Sequence, residues 1–321
     1  TLKTGQSLME LSILHGISPW SLVVENQLDG SWGGFPGDTF YYPDPKAQGP
    51  SALPEVVSAV SVSPAQLIQG QTMVIHLDAD SGAELAGYFN GLPLNFFEIQ
   101  KGKYVAMQGI HAMLDPGGYD LSITGILGDD LPIAFSQKVL IQDGSYIYDP
   151  PLVVNSETVD FEINEVENQA WFDAVAAVSP DKHWDGVFQS PVPEIFSECF
   201  PSLFGNRRSY NNGGYYFFHT GIDFCGSVGV EIYAPAAGKV VFTDMTVVRG
   251  NATIIDHGWG VFSAYAHQDD VLVSKGDNVE KGQLIGHVGA TGRVTGPHLH
   301  WEVMIGGVQV NPLQWMQSDY P

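Results

Sequence analysis

Basic residues are scarce. Thirteen Lys and Arg stand against 36 Asp and Glu in 321 residues, a formal net charge of −23. Such a chain repels a polyphosphate backbone, which argues against nucleic acid as its main partner. The deficit is uneven: residues 196–321 hold 7 basic and 11 acidic residues, and residues 1–195 carry the remaining −19. The C-terminal region is therefore near neutral and able to handle anionic material. Cysteine is almost absent too. Cys199 and Cys225 stand alone and fit neither a CxxC redox motif nor a Cys-rich zinc site. No apolar run reaches the ~18 residues that span a bilayer, so no transmembrane span is expected. The chain begins at Thr1 with neither Met nor a charged-then-apolar leader, the expectation for a mature or trimmed product.

What is abundant is turn-forming: 37 Gly and 20 Pro, with 44% hydrophobic residues. The length suits two or three domains, and the composition predicts a mainly β chain of many short strands. The first segment differs. Leu8, Leu11 and Leu14, then Leu22 and Val23, follow helical spacing in two short pieces separated by Gly16-Ile17-Ser18. Pro36-Gly37-Asp38-Thr39 then turns into the strand-like Phe40-Tyr41-Tyr42. With Thr1–Lys3 as a short first strand, residues 1–45 form a small βααβ module. Gly5 with Leu8, the Gly16 to Ser18 turn, Asn26 and Pro36-Gly37-Asp38 resemble a lysin motif (LysM), which implies binding to N-acetylglucosamine chains.

Four prolines between Pro43 and Pro54 mark a linker at 46–54. Residues 55–148 alternate with period two, as in Met73–Leu77, Leu85–Phe89, Tyr104–Met107 and Tyr119–Ile123, and are punctuated by Asn90-Gly91, Lys101-Gly102 and Pro116-Gly117-Gly118. This predicts a central immunoglobulin-like β-sandwich, a spacer in which His76 and His111 are core or surface residues. Residues 149–195 form a connector with an acidic helical stretch at 164–178. Glu162, Glu165 and Glu167 lack EF-hand spacing and are expected on a solvated helix face.

Six of the ten histidines fall between residues 219 and 300. His219-Thr220-Gly221-Ile222-Asp223 puts an imidazole and a carboxylate four apart, and a bend at Gly221 brings both to one metal. In Gly296-Pro297-His298-Leu299-His300-Trp301-Glu302, strand alternation points His298 and His300 the same way. The same period over Val261–His267 predicts Ser263, Tyr265 and His267 on one face. Two imidazoles and one carboxylate with an open fourth position suit a catalytic zinc, since a structural site closes with Cys. Two further histidines are then spare for proton transfer and oxyanion stabilisation. His257 lies in a turn beside Gly258 and Gly260 and reads as a residue satisfying backbone groups; His287 follows Gly286 in a strand-turn.

Together these pieces resemble the lysostaphin-type (LytM-domain) zinc endopeptidases, which cut peptide cross-links of bacterial peptidoglycan. Supporting residues run over about Pro201 to Trp315, among them Phe204-Gly205-Asn206-Arg207, Asp256-His257-Gly258-Trp259-Gly260 and Thr291-Gly292-Arg293. The resemblance implies a groove-shaped antiparallel β-sheet domain over 196–321, one Zn2+ per chain held by His219, Asp223 and His300, and His267 with His298 as the catalytic pair. No position of the motif set is missing, whereas noncatalytic members of the family have lost ligands. Tyr265 then contacts substrate or packs, and Arg293 contacts a substrate carboxylate or braces its loop. The partners it implies are the peptide cross-links and glycan strands of peptidoglycan, and the expected location is extracellular or the cell envelope. In that setting Cys199 and Cys225 are expected to bond if their Cα atoms lie within ~7 Å, the alternative being two buried thiols. The alternative function is a noncatalytic wall-binding adaptor that activates a separate amidase; a third is an endopeptidase of Gly-rich protein.

Overall fold

Two short helices open the chain, each with its own start chemistry. Ser7 caps Leu8–His15: its hydroxyl accepts the Glu10 N–H at 3.1 Å, and the Glu10 carboxylate accepts the Ser7 N–H at 2.7 Å, a reciprocal capping box. Gly16 ends that helix in the left-handed region at φ 63°. Ser18 caps Pro19–Glu25, where Pro19 fills a position whose amide has no helical partner. Leu8, Leu11 and Leu22 pack with Leu2 and Phe40. Backbone bonds of 2.9 Å join Leu2 N–H to Asp38 O and Gly37 N–H to Leu2 O. Leu14 is not on the buried face but 71% exposed, because six residues beyond Leu8 the helix has turned away from it.

The computed structural model describes residues 2–26, 28, 30, 34, 35, 37, 38, 40, 56–64, 66–127 and 131–321. The expected strand residues Thr1, Tyr41 and Tyr42, the turn residues Pro36 and Thr39, and the linker 46–54 lie outside these. By contacts the chain divides into two units, Thr1–Ile68 with Met73–Gln108 and Asp115–Asp143, and Gln69–Thr72 with Gly109–Leu114 and Gly144–Pro321.

In the first unit the period-two segment forms two sheets. One runs Val57–Ser63, Thr72–Ala79, Lys103–Gly109, Phe97–Gln100. The other runs Leu67–Ile68, Leu131–Gln142, Gly117–Leu127, Ala83–Phe89, Leu92–Asn95. Asn90 and Gly91, at φ 48° and 79°, turn the last hairpin with the two positive values that match the twist of its strands. Met73, Ile75 and Leu77 from one sheet, and Leu121, Ile123, Val139 and Ile141 from the other, are at most 2% exposed.

The second unit is built on a nine-stranded sheet, antiparallel throughout. Its main path is Ile222–Cys225, His298–Ile305, Val261–Val271, Gly250–Gly258, Gly238–Thr246, Asn278–Val279. Directly opposed residues of an antiparallel pair share a face. Phe262 opposes Met304, Ala264 opposes Glu302, Ala266 opposes His300, and His300 opposes Asp223. The helix Phe161–Ala174 covers the first part of that face, with Trp171 and Val175 packed on Phe262, Ala264 and Met304. The remaining part carries the polar side chains.

This helix departs from its expected form. It begins at Phe161 because the Asp160 carboxylate caps it, accepting the Glu162 and Ile163 N–H groups at 3.0 and 3.1 Å. Glu162 and Glu165 are exposed as expected, but Glu167 is buried and paired with Arg249 at 2.9 Å. It faces the sheet four residues before Trp171, on the same stripe. The Cys199–Cys225 disulfide is formed, with Cα atoms 5.4 Å apart.

Candidate metal centre

Pairing in the sheet aligns Asp223 with His300, and a bend brings His219 beside them. Gly221 makes that bend possible: a Cβ there would sit 2.2 Å from the Trp301 carbonyl oxygen. His219 Nε2 lies 3.0 Å from Asp223 Oδ1 and 3.0 Å from His300 Nδ1, and His300 Nδ1 lies 3.0 Å from Asp223 Oδ1. All three donors fall within 4.8 Å of one another, a group able to hold a metal ion.

The far side of each ring sets which nitrogen faces the others. His219 Nδ1 points at Leu203 O at 2.9 Å, and a carbonyl only accepts, so that nitrogen carries the proton and Nε2 presents a lone pair. His300 Nε2 is committed to the Glu302 carboxylate at 3.0 Å, which turns Nδ1 towards Asp223. Thr220 donates its hydroxyl to the same Glu302 oxygen at 2.6 Å. The pocket draws positive charge. Burial works against a charged His300, yet the bonds from Asp223 and Glu302 overcome it and raise the pKa to about 9. Burial likewise opposes an ionised Asp223, and His219 and His300 overcome it and hold the carboxyl well below the usual range. Two imidazole nitrogens and a carboxylate in such a place fit a divalent cation of zinc's preference.

His267 and His298 stand beside the triad, with ring centroids 5.0 Å apart and His267 5.9 Å from His300. His267 Nδ1 donates to Thr291 O at 2.9 Å, leaving Nε2 as an acceptor. Burial first, and then the neighbouring His298 and His300, lower its pKa well below the ordinary value and keep it neutral. His298 Nδ1 is held by Gly296 O at 2.9 Å, and its Nε2 lies 3.5 Å from Asp223 Oδ1.

The expected common face of Ser263, Tyr265 and His267 is corrected by the structure. Tyr265 opposes Trp301 on the other side of the sheet, is fully buried, and bonds through its hydroxyl to Ser263 Oγ at 2.9 Å. It touches no solvent and so is a packing residue here. Strict alternation would have sent His267 to that side as well. A register shift between the Thr253–Tyr265 and Asn251–Gln268 pairs inserts a bulge, and His267, at φ 64°, swings to the metal face. Arg293 is committed to side chains and backbone far from it in the chain: it donates to Thr158 O at 3.0 Å and lies 4.2 Å over the Tyr210 ring. Glu302 belongs to the site as well: it follows His300 by two, so period two already puts it on the same face.

His257 lies apart from the centre. Its Nδ1 donates to Ala237 O at 2.7 Å and its Nε2 accepts from Ser263 Oγ at 2.8 Å, the backbone-satisfying role expected of it. His287 pairs with Asp270 at 2.7 Å. Burial lowers His257 from 6.5 to about 4. Between those values the unfolded chain takes up a proton that the folded chain refuses, so stability falls as pH drops through the window, by on the order of 3 kcal/mol from this group. Melting temperatures between pH 7 and 4 should fall more steeply for the parent than for His257→Gln, and parallel curves would refute this.

Residues 217–312 match the model of peptidase family M23. The chain is 37% identical over 131 residues to the peptidoglycan DD-endopeptidase ShyB of Vibrio cholerae serotype O1, covering 41% of this chain and 30% of that protein. It is 41% identical over 97 residues to the murein hydrolase activator NlpD of Salmonella typhimurium, covering 30% and 26%. The matched part thus spans less than a third of either relative. A Pseudomonas aeruginosa crystal structure assigned to peptidase M23 has the same fold, with a TM-score of 0.60 at 24% identity over 78% of this chain and 95% of that one. His219, Asp223, His267, His298 and His300 all lie within the matched stretch, and residues 217–312 are a peptidase family M23 domain.

Proposed function

We propose that the chain is a zinc-dependent endopeptidase that hydrolyses peptide cross-links of bacterial peptidoglycan, outside the cell or in its envelope. The observation that carries this is the convergence of His219 Nε2, Asp223 Oδ1 and His300 Nδ1 with two more imidazoles on the same face. Zinc bound to the three donors, one per chain, supplies Lewis acidity that polarises a carbonyl and lowers the pKa of water to ~7. The chain's own part is proton handling. His267, neutral and with Nε2 free, accepts the proton of the attacking water. His298, whose Nδ1 N–H is held by Gly296 O, presents Nε2 as a second acceptor that orients the water, and the proton held by His267 passes on to the leaving amine. The domain has no HExxH glutamate, so this work falls to histidine.

The test is digestion of purified sacculi of known cross-link chemistry, read by fragment mass. Release of uncross-linked peptides that stops with a chelator and returns with zinc is expected; intact sacculi under all three conditions would refute the reading. The second reading, a wall-binding adaptor that activates an amidase, has support in the similarity to an activator. The complete donor set favours the enzyme, since an adaptor has no need of one.

Residues 1–45 serve in this proposal as a LysM-like glycan-binding module, and 55–148 as an immunoglobulin-like spacer. Tethering raises the local concentration of the peptidase on its polymer. Deleting residues 1–45 should weaken retention on sacculi and leave hydrolysis of a short soluble cross-linked peptide unchanged. Equal retention with and without the segment counts against the module's role.

A further inference from the structure

The helix Phe161–Ala174 precedes the M23 match, yet one of its side chains reaches the backbone that carries His267. Glu167 is 8% exposed. Its Oε2 accepts the Val248 N–H at 2.8 Å, and its Oε1 accepts the Arg249 N–H at 3.0 Å and the Arg249 guanidinium at 2.9 Å. A carboxylate taken out of water costs several kcal/mol unless its lone pairs are used, and here three donors use them. What the carboxylate holds is a turn whose carbonyls point onward. Arg249 O accepts the His267 N–H at 2.8 Å, and Val248 O accepts the Arg293 N–H at 2.8 Å.

Both bonds act on the geometry of His267. The first ties its backbone at the left-handed φ that turns the ring to the metal face. The second anchors the loop whose Thr291 carbonyl sets the ring tautomer. The loop and the turn lie in close contact: a Cβ on Gly250 would sit 2.2 Å from Thr291 Oγ1, and one on Gly292 would sit 2.4 Å from Gly250 N. Thr291 Oγ1 also accepts the Asn251 N–H at 3.0 Å and donates to Gln268 O at 2.8 Å.

We propose that Glu167 is a positioning residue, whose carboxylate holds the Val248–Arg249 turn and through it fixes His267 in its bulge and the 291–293 loop against the imidazole. The inference rests on the proposed role of His267 as proton acceptor. A fragment that begins after this helix keeps all three metal donors and lacks the brace.

The test compares Glu167→Ala, Glu167→Gln and Val175→Ala in the full chain. Glu167→Ala should bind as much zinc as the parent by elemental analysis, because no donor is touched. Its kcat on a cross-linked peptide should fall by about 10- to 100-fold, the cost of misplacing a reacting group by up to ~1 Å, with KM little changed. In the long-range 1H–15N spectrum, His267 should show one tautomer with the proton on Nδ1 in the parent and a mixture in Glu167→Ala. Glu167→Gln keeps one acceptor oxygen and should fall between the two; it carries the test if Glu167→Ala does not fold. Val175→Ala loosens the same helix against the sheet and should lower the melting temperature while keeping the parent's kcat and tautomer. The proposal is overturned if the Glu167 variants keep kcat and a single tautomer, or if Val175→Ala loses both as they do. If the parent cleaves no cross-link, the enzymatic reading fails, and the tautomer of His267 still decides the brace.

Discussion

His219→Ala, Asp223→Ala and His300→Ala should each lose the metal, whereas His267→Ala should retain it and lose turnover. The division follows from the geometry. The three donors meet at 3.0 Å separations, while His267 is turned by its Thr291 bond so that Nε2 faces the site from outside the triad. Removing one of three protein donors leaves two, and the neighbouring rings cannot take its place within the few tenths of an ångström that coordination allows. His267→Ala removes the proposed proton acceptor and should cost on the order of 10²-fold or more in turnover. Elemental analysis of the purified variants, with turnover of a cross-linked peptide, separates the groups. Metal lost from His267→Ala and kept by His219→Ala would reverse the roles assigned here, and full metal with full activity in both would remove the site altogether.

Replacing Glu302 with Ala should weaken metal binding by about 10- to 100-fold although every donor remains. Glu302 is almost completely buried and its carboxylate serves three donors: His300 Nε2 at 3.0 Å, Thr220 Oγ1 at 2.6 Å and Trp171 Nε1 at 3.4 Å. Burial alone would raise its pKa; the bond from His300 reverses this and brings it to about 2, so the group is ionised throughout the working range. Its charge fixes the His300 tautomer and makes the ligating nitrogen more basic. Without it the ring is free to turn, and donors that were preorganised must be ordered on binding. Competition with a chelator of known affinity measures the loss. Glu302→Gln, which keeps an oxygen for the His300 N–H and gives up the charge, should lose less than Glu302→Ala. Unchanged affinity in both variants would show that the carboxylate does not tune the metal.

The legible part of this site is the part written in short-range periodicity. His219 and Asp223 flank a glycine bend, and His298, His300 and Glu302 obey strand alternation, so spacing alone puts them within reach of one another. The same rule puts Ser263, Tyr265 and His267 on one face and fails at His267, because a bulge turns that residue to the opposite side and nothing in Ala266-His267-Gln268 announces a left-handed residue. Arg293 could be read as binding or bracing; its partners Thr158 and Tyr210 come from 135 and 83 residues earlier, beyond any local pattern. Glu167 illustrates the limit most plainly. On a helix of acidic composition a solvated face is the natural expectation, and only the turn 81 residues away shows that one carboxylate points inward. The strands of the period-two segment and the two short N-terminal helices are legible in the sequence, since apolar periodicity, caps and turns are local. The docking of Trp171 on the sheet is not.

The disulfide gives the metal site a property of the unfolded chain as well. Cys199 and Cys225 are separated by 26 residues, and that stretch includes His219, Asp223 and the Ser202-Leu203 pair that holds the His219 ring. Closing a ring of this size removes about 3 to 4 kcal/mol of chain entropy from the denatured ensemble on the loop-closure estimate. His219 and Asp223, already four residues apart, thus sit with the Ser202-Leu203 pair inside a closed loop before the sheet has formed, and the search that completes the site reduces to recruiting one distant imidazole, His300.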